Sequence, residues 1–175
     1  MAALVADLLE LSRLESGERA ARAEPVAPME VVEDVVASLS DLAASKQVNL
    51  SARDRGAPEV LTDGDRLRRI LENIVENAVK YTQAGGKVEV IAQASDEAAV
   101  VVVQDDGPGI AAEHLPRIFE RFYRVDKARS RAIGGTGLGL AIVRHLAESI
   151  RATVTVTSEP GRGARFVVTV PRRPA

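Results

Sequence analysis

From residue 66 to residue 81 apolar side chains recur at helical spacing, and just past Gly85 and Gly86 that period gives way to two β-rich runs. These runs cover residues 87–94 and 98–104, the second built on four consecutive valines, Val100 to Val103. A long amphipathic helix followed by paired strands must lay its apolar face on a sheet, so the fold class is α+β, one sheet with helices on one face. Thr62 and Asp65 give this helix an S/T-x-x-D/E start signal. An earlier amphipathic helix is expected over residues 29–45, with Val31, Val32, Val35, Val36, Leu39 and Leu42 inward. Short strands are expected at 47–52 and 59–62, around a turn carrying Gly56 and Pro58. Later elements are a short helix near 112–119, a helix beginning within GTGLGLAIV, and strands 152–158 and 165–170 flanking EPGRGA as a hairpin whose glycines need only be turn residues.

At the N-terminus Leu4, Leu8, Leu11 and Leu14 form one helical stripe that Gly17 stops. Residues 18–28, with charges, alanines, Pro25 and Pro28, read as a connector, which puts a boundary near residue 25. The 175 residues suffice for one domain of about 100–200 residues. Aromatic residues make up 3% and Trp is absent, so the core must come from Leu, Ile, Val and Ala. With no Cys, disulfides, thiolate catalysis and Cys-ligated metals are excluded, and two widely separated histidines leave little for a His-built metal site. The net charge of -2 does not suit a nucleic-acid polyelectrolyte, so no nucleic-acid partner is expected. No apolar run approaches the roughly 18 residues of a membrane span, and the acidic N-terminal stretch is unlike a signal peptide.

Three places concentrate chemistry. In LENIVENAVKYT, residues 71–82, a turn of about 100° per residue puts Asn73, Asn77 and Lys80 on one strip bordering the face of Leu67, Ile70, Leu71, Ile74 and Ala78. Asn is a poor helix-interior residue because its side chain competes for backbone hydrogen bonds. Two of them a turn apart suit a solvated polar strip, or carboxamide oxygens holding a hard cation such as nucleotide-bound Mg²⁺ with Lys80 near phosphate. Next, Asp105-Asp106-Gly107-Pro108-Gly109-Ile110 follows the valine strand. Such a string serves as an ordinary turn, or as a carboxylate accepting an exocyclic amine above glycines that let the backbone pass beneath a flat ring. Finally, Gly135-Thr136-Gly137-Leu138-Gly139-Leu140 runs into a helix whose N-terminus favours an anion. Arg121, Arg124, Lys127, Arg129 and Arg131 precede it, opposed only by Asp126, as a solvated loop or a phosphate-facing one.

In order and spacing, these motifs resemble the catalytic ATP-binding domain of sensor histidine kinases, within the superfamily of gyrase-, Hsp90- and MutL-type ATPases. LENIVENAVKYT is similar to the N box, DDGPGI to the first glycine box, IFERFYR at 118–124 to the F box, and GTGLGL to the second glycine box. The resemblance runs from about residue 25 to 171, and LLELSRLESGE is similar to the end of the family's dimerisation and phosphoacceptor hairpin. It implies a two-layer α/β sandwich of the Bergerat type, a mixed sheet of about five strands with three helices on one face. Residues 25–175 would be the catalytic domain and residues 1–24 the hairpin end and linker.

By the same resemblance Asn77 ligates Mg²⁺ with Asn73 beside it, and Lys80 and Tyr81 lie over phosphate and nucleotide. Asp105 takes the adenine amine at an end shaped by Gly107, Gly109 and Ile110. Phe119 and Phe122 anchor a mobile lid, and Arg124 reaches the γ-phosphate. Gly135, Thr136, Gly137, Leu138, Gly139 and Leu140 hinge the lid and contact phosphate, so that ATP and Mg²⁺ are the cofactors. Neither His114 nor His145 fits the family's phosphoacceptor, and both read as helix-surface residues. The acceptor histidine is thus expected on a hairpin helix before Met1, the further partner being a cognate response regulator in two-component signalling. The parent would be a membrane-anchored homodimer with this piece cytoplasmic and monomeric. One departure is Glu148-Ser149-Ile150-Arg151-Ala152, which lacks the glycine that ends the corresponding family helix. Two other functions fit the same fold: an ATPase whose hydrolysis drives dimer clamping, with only Glu72 or Glu76 to activate water, and a nucleotide-dependent anti-sigma or serine-kinase-like binding module.

Overall fold

The helix over residues 64–81 and the strands after it form the centre of the molecule. The computed structural model describes residues 21–125 and 135–172, together with residues 4, 5, 8, 9 and 12. Its described elements are β1 (Glu24–Val26), α1 (Pro28–Ser38), α2 (Ser40–Ser45), β2 (Asn49–Arg55), β3 (Val60–Thr62), α3 (Gly64–Tyr81), β4 (Lys87–Ser95), β5 (Ala98–Asp105), α4 (Gly139–Ser149), β6 (Thr153–Ser158) and β7 (Ala164–Pro171). Five strands form a mixed sheet in the order β2-β4-β5-β7-β6. Only the β2–β4 pair is parallel, and Val101 of β5 lies between Ala92 of β4 and Val168 of β7.

Alternation along the strands decides which face the helices cover. Val88, Val90, Val101, Val103, Phe166, Val168 and Val170 share one apolar cluster with the inward residues of α1, α3 and α4. Ile91, Val100 and Val102 form a smaller cluster on the other side of the sheet, with Val167 against it. The valine run thus supplies both faces by turns. Leu67, Ile70, Leu71, Ile74, Val75 and Val79 of α3 are fully buried. Each contributes about 1.5–3 kcal/mol, which outweighs the roughly 0.7 kcal/mol that an Asn costs in a helix interior.

Several boundaries differ from expectation for local reasons. Helix α3 is capped by Asp63, whose carboxylate accepts the Arg66 N–H at 3.0 Å, and not by the Thr62–Asp65 pair. Thr62 is the buried last residue of β3 and is spent on the strand. The expected helix over 29–45 is broken at Leu39, where the Ser38 and Ser40 hydroxyls donate to the carbonyls of Val35 and Ala37. The connector over 18–28 contains β1, which pairs antiparallel with β3 in a sheet of its own. Residues 112–119 are not a helix. They form successive turns, with N–H bonds from His114 to Ala111, Arg117 to His114 and Glu120 to Arg117. Of the N-terminal stripe, Leu4 packs on the core and Leu8 is exposed, while Leu11 and Leu14 lie outside the described residues.

The missing glycine after α4 is replaced by Arg151 in the left-handed conformation, φ 57°. The Ala152 N–H bonds to the Ala147 carbonyl at 2.9 Å and the Arg151 N–H to Glu148 at 3.2 Å, a Schellman closure without glycine. Arg151→Gly is therefore expected to stabilise the domain by about 0.5–1 kcal/mol, seen as a higher urea midpoint at unchanged slope. An unchanged midpoint would show that the left-handed residue carries no strain.

Candidate nucleotide site

Helix α3 carries the first group of side chains. Asn73, Asn77, Lys80 and Tyr81 are all half-buried, at the border between the buried and solvated faces. The Asn73 amide donates to the Arg69 carbonyl at 2.8 Å, which settles its orientation. Its Oδ1 then faces α4, so close that a Cβ on Gly139 would lie 2.9 Å from it. Asn77 has no hydrogen-bond partner for its carboxamide among the described residues, so both of its polar atoms are available to a ligand, whereas Asn73 keeps only its oxygen. Lys80 is held by Glu76 one turn back, Nζ to Oε1 2.9 Å. Such an i,i+4 pair is worth about 0.3–0.5 kcal/mol, so Lys80 parts from Glu76 at small cost.

The second group surrounds the end of β5. Oδ1 of Asp105 accepts the Gly107 N–H at 2.9 Å and the Ala164 N–H at 3.2 Å, which fixes the carboxylate. Burial pushes the Asp105 carboxyl above its ordinary range; the two backbone N–H bonds pull it down, and the neighbouring Asp106 charge raises it again. Asp106 instead accepts the Lys87 N–H at 2.8 Å, tying the loop to the edge of β4. The loop is also docked onto the β6–β7 hairpin. Ile110 N–H donates to Ser158 Oγ at 2.8 Å, Gly161 N–H to the Pro108 carbonyl at 2.8 Å, and the Ser158 hydroxyl to the Gly163 carbonyl at 2.6 Å. Gly109 and Gly163, both at positive φ, make the approach possible, so Gly163 is more than the turn residue expected. Thr82 lies beneath this loop, buried, its hydroxyl without a partner among the described residues and 3.5 Å from where a Gly107 Cβ would stand.

The third group brings the 118–124 segment to the start of α4. Phe122, at φ 61°, donates its N–H to the Gly137 carbonyl at 2.9 Å. A Cβ on Gly137 would lie 3.0 Å from the Phe122 Cα and 3.3 Å from the Arg124 Cγ. Nε and Nη2 of Arg124 are buried without a partner among the described residues. Leu138, fully buried, precedes α4, and no side chain caps that helix. Leu138 N–H turns back to Thr136 Oγ1 at 3.3 Å, and Leu140 packs on the core. Gly135 is half-buried just before Thr136, while Asp126, Lys127, Arg129 and Arg131 lie outside the described residues.

The structure therefore brings Asn73 to Gly139, Arg124 to Gly137 and Asp105 to Gly107. Phe119 and Phe122 have different surroundings. Phe119 packs against the core and lines a surface cavity of 520 Å³ with Ala141, Arg144 and His145, whereas Phe122 is 56% exposed. Nor is His114 a helix-surface residue: its ring nitrogen lies 2.8 Å from the Tyr123 hydroxyl. Thr82, Ser158 and Gly163 escape a reading by motif because their roles depend on contacts between segments remote in sequence.

A family profile described as "Histidine kinase-, DNA gyrase B-, and HSP90-like ATPase" matches residues 62–174, which covers all three groups of side chains. The chain belongs to that ATPase family. Within it, this ATPase domain is 39% identical over 170 residues to the sensor histidine kinase RppB of Synechocystis, covering 96% of this chain and 37% of that protein. It is 37% identical over 174 residues to the sensor-like histidine kinase SenX3 of Mycolicibacterium smegmatis, covering 99% and 45%. The ATPase domain thus spans less than half the length of these curated relatives. Its backbone is similar to full-length ShkA in complex with AMPPNP, with TM-score 0.87, 35% identity, and coverage of 99% of this chain and 36% of that one. The mycobacterial sensor histidine kinase MprB matches with TM-score 0.73 and 28% identity over 87% of this chain and 99% of that one. The α+β class and mixed five-stranded sheet of the ATPase domain are those of histidine kinase catalytic domains. No helix among the described residues is long and apolar enough to cross a membrane.

Proposed function

We propose that this ATPase domain binds Mg-ATP between α3, the 105–110 loop and the start of α4, and passes the γ-phosphoryl group to a histidine on the hairpin of a sensor kinase. The observation that carries this reading is the half-buried Arg124 side chain, whose Nε and Nη2 are buried without a partner among the described residues, beside Gly137 and the uncapped start of α4. Guanidinium N–H groups shut off from water call for an acceptor, and the terminal phosphate of ATP supplies one. Asp105, its Oδ1 occupied by two backbone N–H groups, has a second oxygen left for the adenine amine. Residues 1–24 are assigned to the hairpin end and linker, with 25–175 as the catalytic domain, a boundary that falls within β1. The parent would be a membrane-anchored dimer serving a response regulator.

The residues present suit Mg²⁺ held mostly by nucleotide oxygens and water. Asn77 is half-buried with a free carboxamide, and no group of three acidic, His or Cys side chains among the described residues would cage a cation. Bound there, the ion neutralises charge on the phosphates. Asn77 would orient it, Lys80 would leave Glu76 to meet phosphate, and Arg124 would meet charge moving onto the transferred group. In the transfer itself a neutral imidazole nitrogen of the acceptor attacks phosphorus in line, the bond to the bridging oxygen breaks, and ADP leaves with that electron pair.

The reading is tested by incubating the domain with γ-labelled ATP, Mg²⁺ and a separately supplied phosphoacceptor hairpin. The expected product is acid-labile, base-stable phosphate on the hairpin histidine. Steady release of inorganic phosphate with no label on the hairpin would overturn it in favour of a plain ATPase.

Asp105→Asn separates recognition from stability. The raised carboxyl binds its proton more tightly folded than unfolded, so its contribution to stability is lost as pH rises from the ordinary aspartate range through the folded value. The amide oxygen still accepts the Gly107 and Ala164 N–H groups. The variant is therefore expected to melt at pH 7 no lower than the parent without nucleotide, yet to bind ATP about 10- to 100-fold more weakly. Unchanged ATP affinity would remove Asp105 from adenine recognition.

A further inference from the structure

The nucleotide reading leaves one group of side chains unexplained. Tyr123, the residue before Arg124, is held from two sides by the turns at 111–120. His114 Nδ1 lies 2.8 Å from its hydroxyl, and the guanidinium carbon of Arg117 stands 4.3 Å from its ring centroid. Arg117 is itself fixed by Glu120, through Nε and Nη2 at 3.1–3.3 Å. The Glu113 carboxylate lies 3.6 Å from the other nitrogen of the His114 ring. In the backbone itself, the Phe122 N–H donates to the Gly137 carbonyl at 2.9 Å and the Tyr123 N–H to the Glu120 carbonyl at 3.3 Å.

Phe122 is also the strained point of the segment. A non-glycine residue at φ 61° costs about 1–3 kcal/mol and persists only where its surroundings hold it. Its own side chain is exposed and holds nothing, so the restraint comes from the backbone bonds of Phe122 to Gly137 and of Tyr123 to Glu120, together with the Tyr123 side chain. The ring lies under Arg117 and packs against the core, and the hydrogen bond at its hydroxyl adds a directional hold at the ring's far end. Arg124 follows directly, and its long side chain takes its aim from this backbone.

We propose that the His114–Tyr123 hydrogen bond is a positioning device, holding the strained Phe122–Tyr123 backbone so that the Arg124 guanidinium points at the terminal phosphate of ATP. His114 touches no nucleotide in this arrangement and acts through Tyr123. The proposal rests on the assignment of Arg124 to the γ-phosphate, and its readout is the preference for ATP over ADP, which isolates that phosphate from the rest of the ligand.

The experiment is calorimetric titration of the domain with Mg-ATP and Mg-ADP. Tyr123→Phe removes the hydroxyl and keeps the ring under Arg117; His114→Leu removes the nitrogen; His114→Asn places near the former Nδ1 an amide whose nitrogen donates and whose oxygen accepts. Tyr123→Phe and His114→Leu are expected to reduce the ATP-over-ADP preference about 2- to 10-fold with ADP affinity and melting temperature unchanged. The double variant should lose no more than either single one, His114→Asn should restore the preference, and Tyr123→Phe should have no effect in an Arg124→Ala background. Loss of the preference in Arg124→Ala but not in Tyr123→Phe would overturn the positioning role and leave the nucleotide reading standing. Equal weakening of ATP and ADP in Tyr123→Phe would also overturn it, as the mark of a merely structural contact. An unchanged preference in Arg124→Ala would overturn both.

Discussion

Asn77→Ala is expected to weaken Mg²⁺-dependent ATP binding by about 100-fold or more while the domain without nucleotide melts at the same temperature or slightly higher. The asymmetry follows from the two asparagines of α3. Asn77 has no side-chain bond to lose among the described residues, and alanine is the better helix former by up to about 0.7 kcal/mol. Asn73→Ala should behave differently. It removes the bond to the Arg69 carbonyl and the oxygen against which Gly139 is packed, so it should lower stability as well as affinity. Titration with and without Mg²⁺, alongside thermal unfolding of both variants, separates the two. Unchanged affinity in Asn77→Ala, with Mg²⁺ present, would remove that residue from the cation site.

The difference between these asparagines marks where the sequence stops being informative. Helical periodicity places both on the border of the buried face, because position around a helix follows from spacing alone. It does not say which one is engaged by a neighbour, since that depends on α4 crossing at Gly139, 66 residues away from Asn73 in the chain. Periodicity likewise finds the strands of the sheet but not β1, whose three residues have too little alternation to show and form a strand only against β3. The segment 112–119 carries apolar residues at helical spacing and nevertheless closes i to i+3 bonds, with His114 and Arg117 turned toward Tyr123 instead of along a helix. Arg151 shows the opposite failure: the absent glycine suggests an altered helix end, yet backbone bonding alone imposes the left-handed turn.

Gly163→Ala is expected to cost about 2–5 kcal/mol, although nothing in EPGRGA distinguishes Gly163 from Gly161 two residues earlier. Both have positive φ, 78° and 74°, so an alanine at either adopts a left-handed conformation at about 1–2 kcal/mol. Around Gly161 nothing lies within 4 Å of the added carbon. At Gly163 that carbon would fall 1.9 Å from the Asp105 carbonyl oxygen and 2.9 Å from the Asp106 Cα, both backbone atoms that cannot rotate away. Relief requires parting β7 from the end of β5, which adds about 1–3 kcal/mol of overpacking. It also strains the Ala164 N–H bond that fixes the Asp105 carboxylate, so ATP affinity should fall with stability. Urea unfolding of the two single variants is the measurement. The expectation is a loss of about 1 kcal/mol for Gly161→Ala and a clearly larger one for Gly163→Ala, with weakened ATP binding in the second alone. Equal losses would mean that the hairpin glycines serve only their own turn. A larger loss confined to Gly163 means that the hairpin is the support on which the Asp105 carboxylate is set.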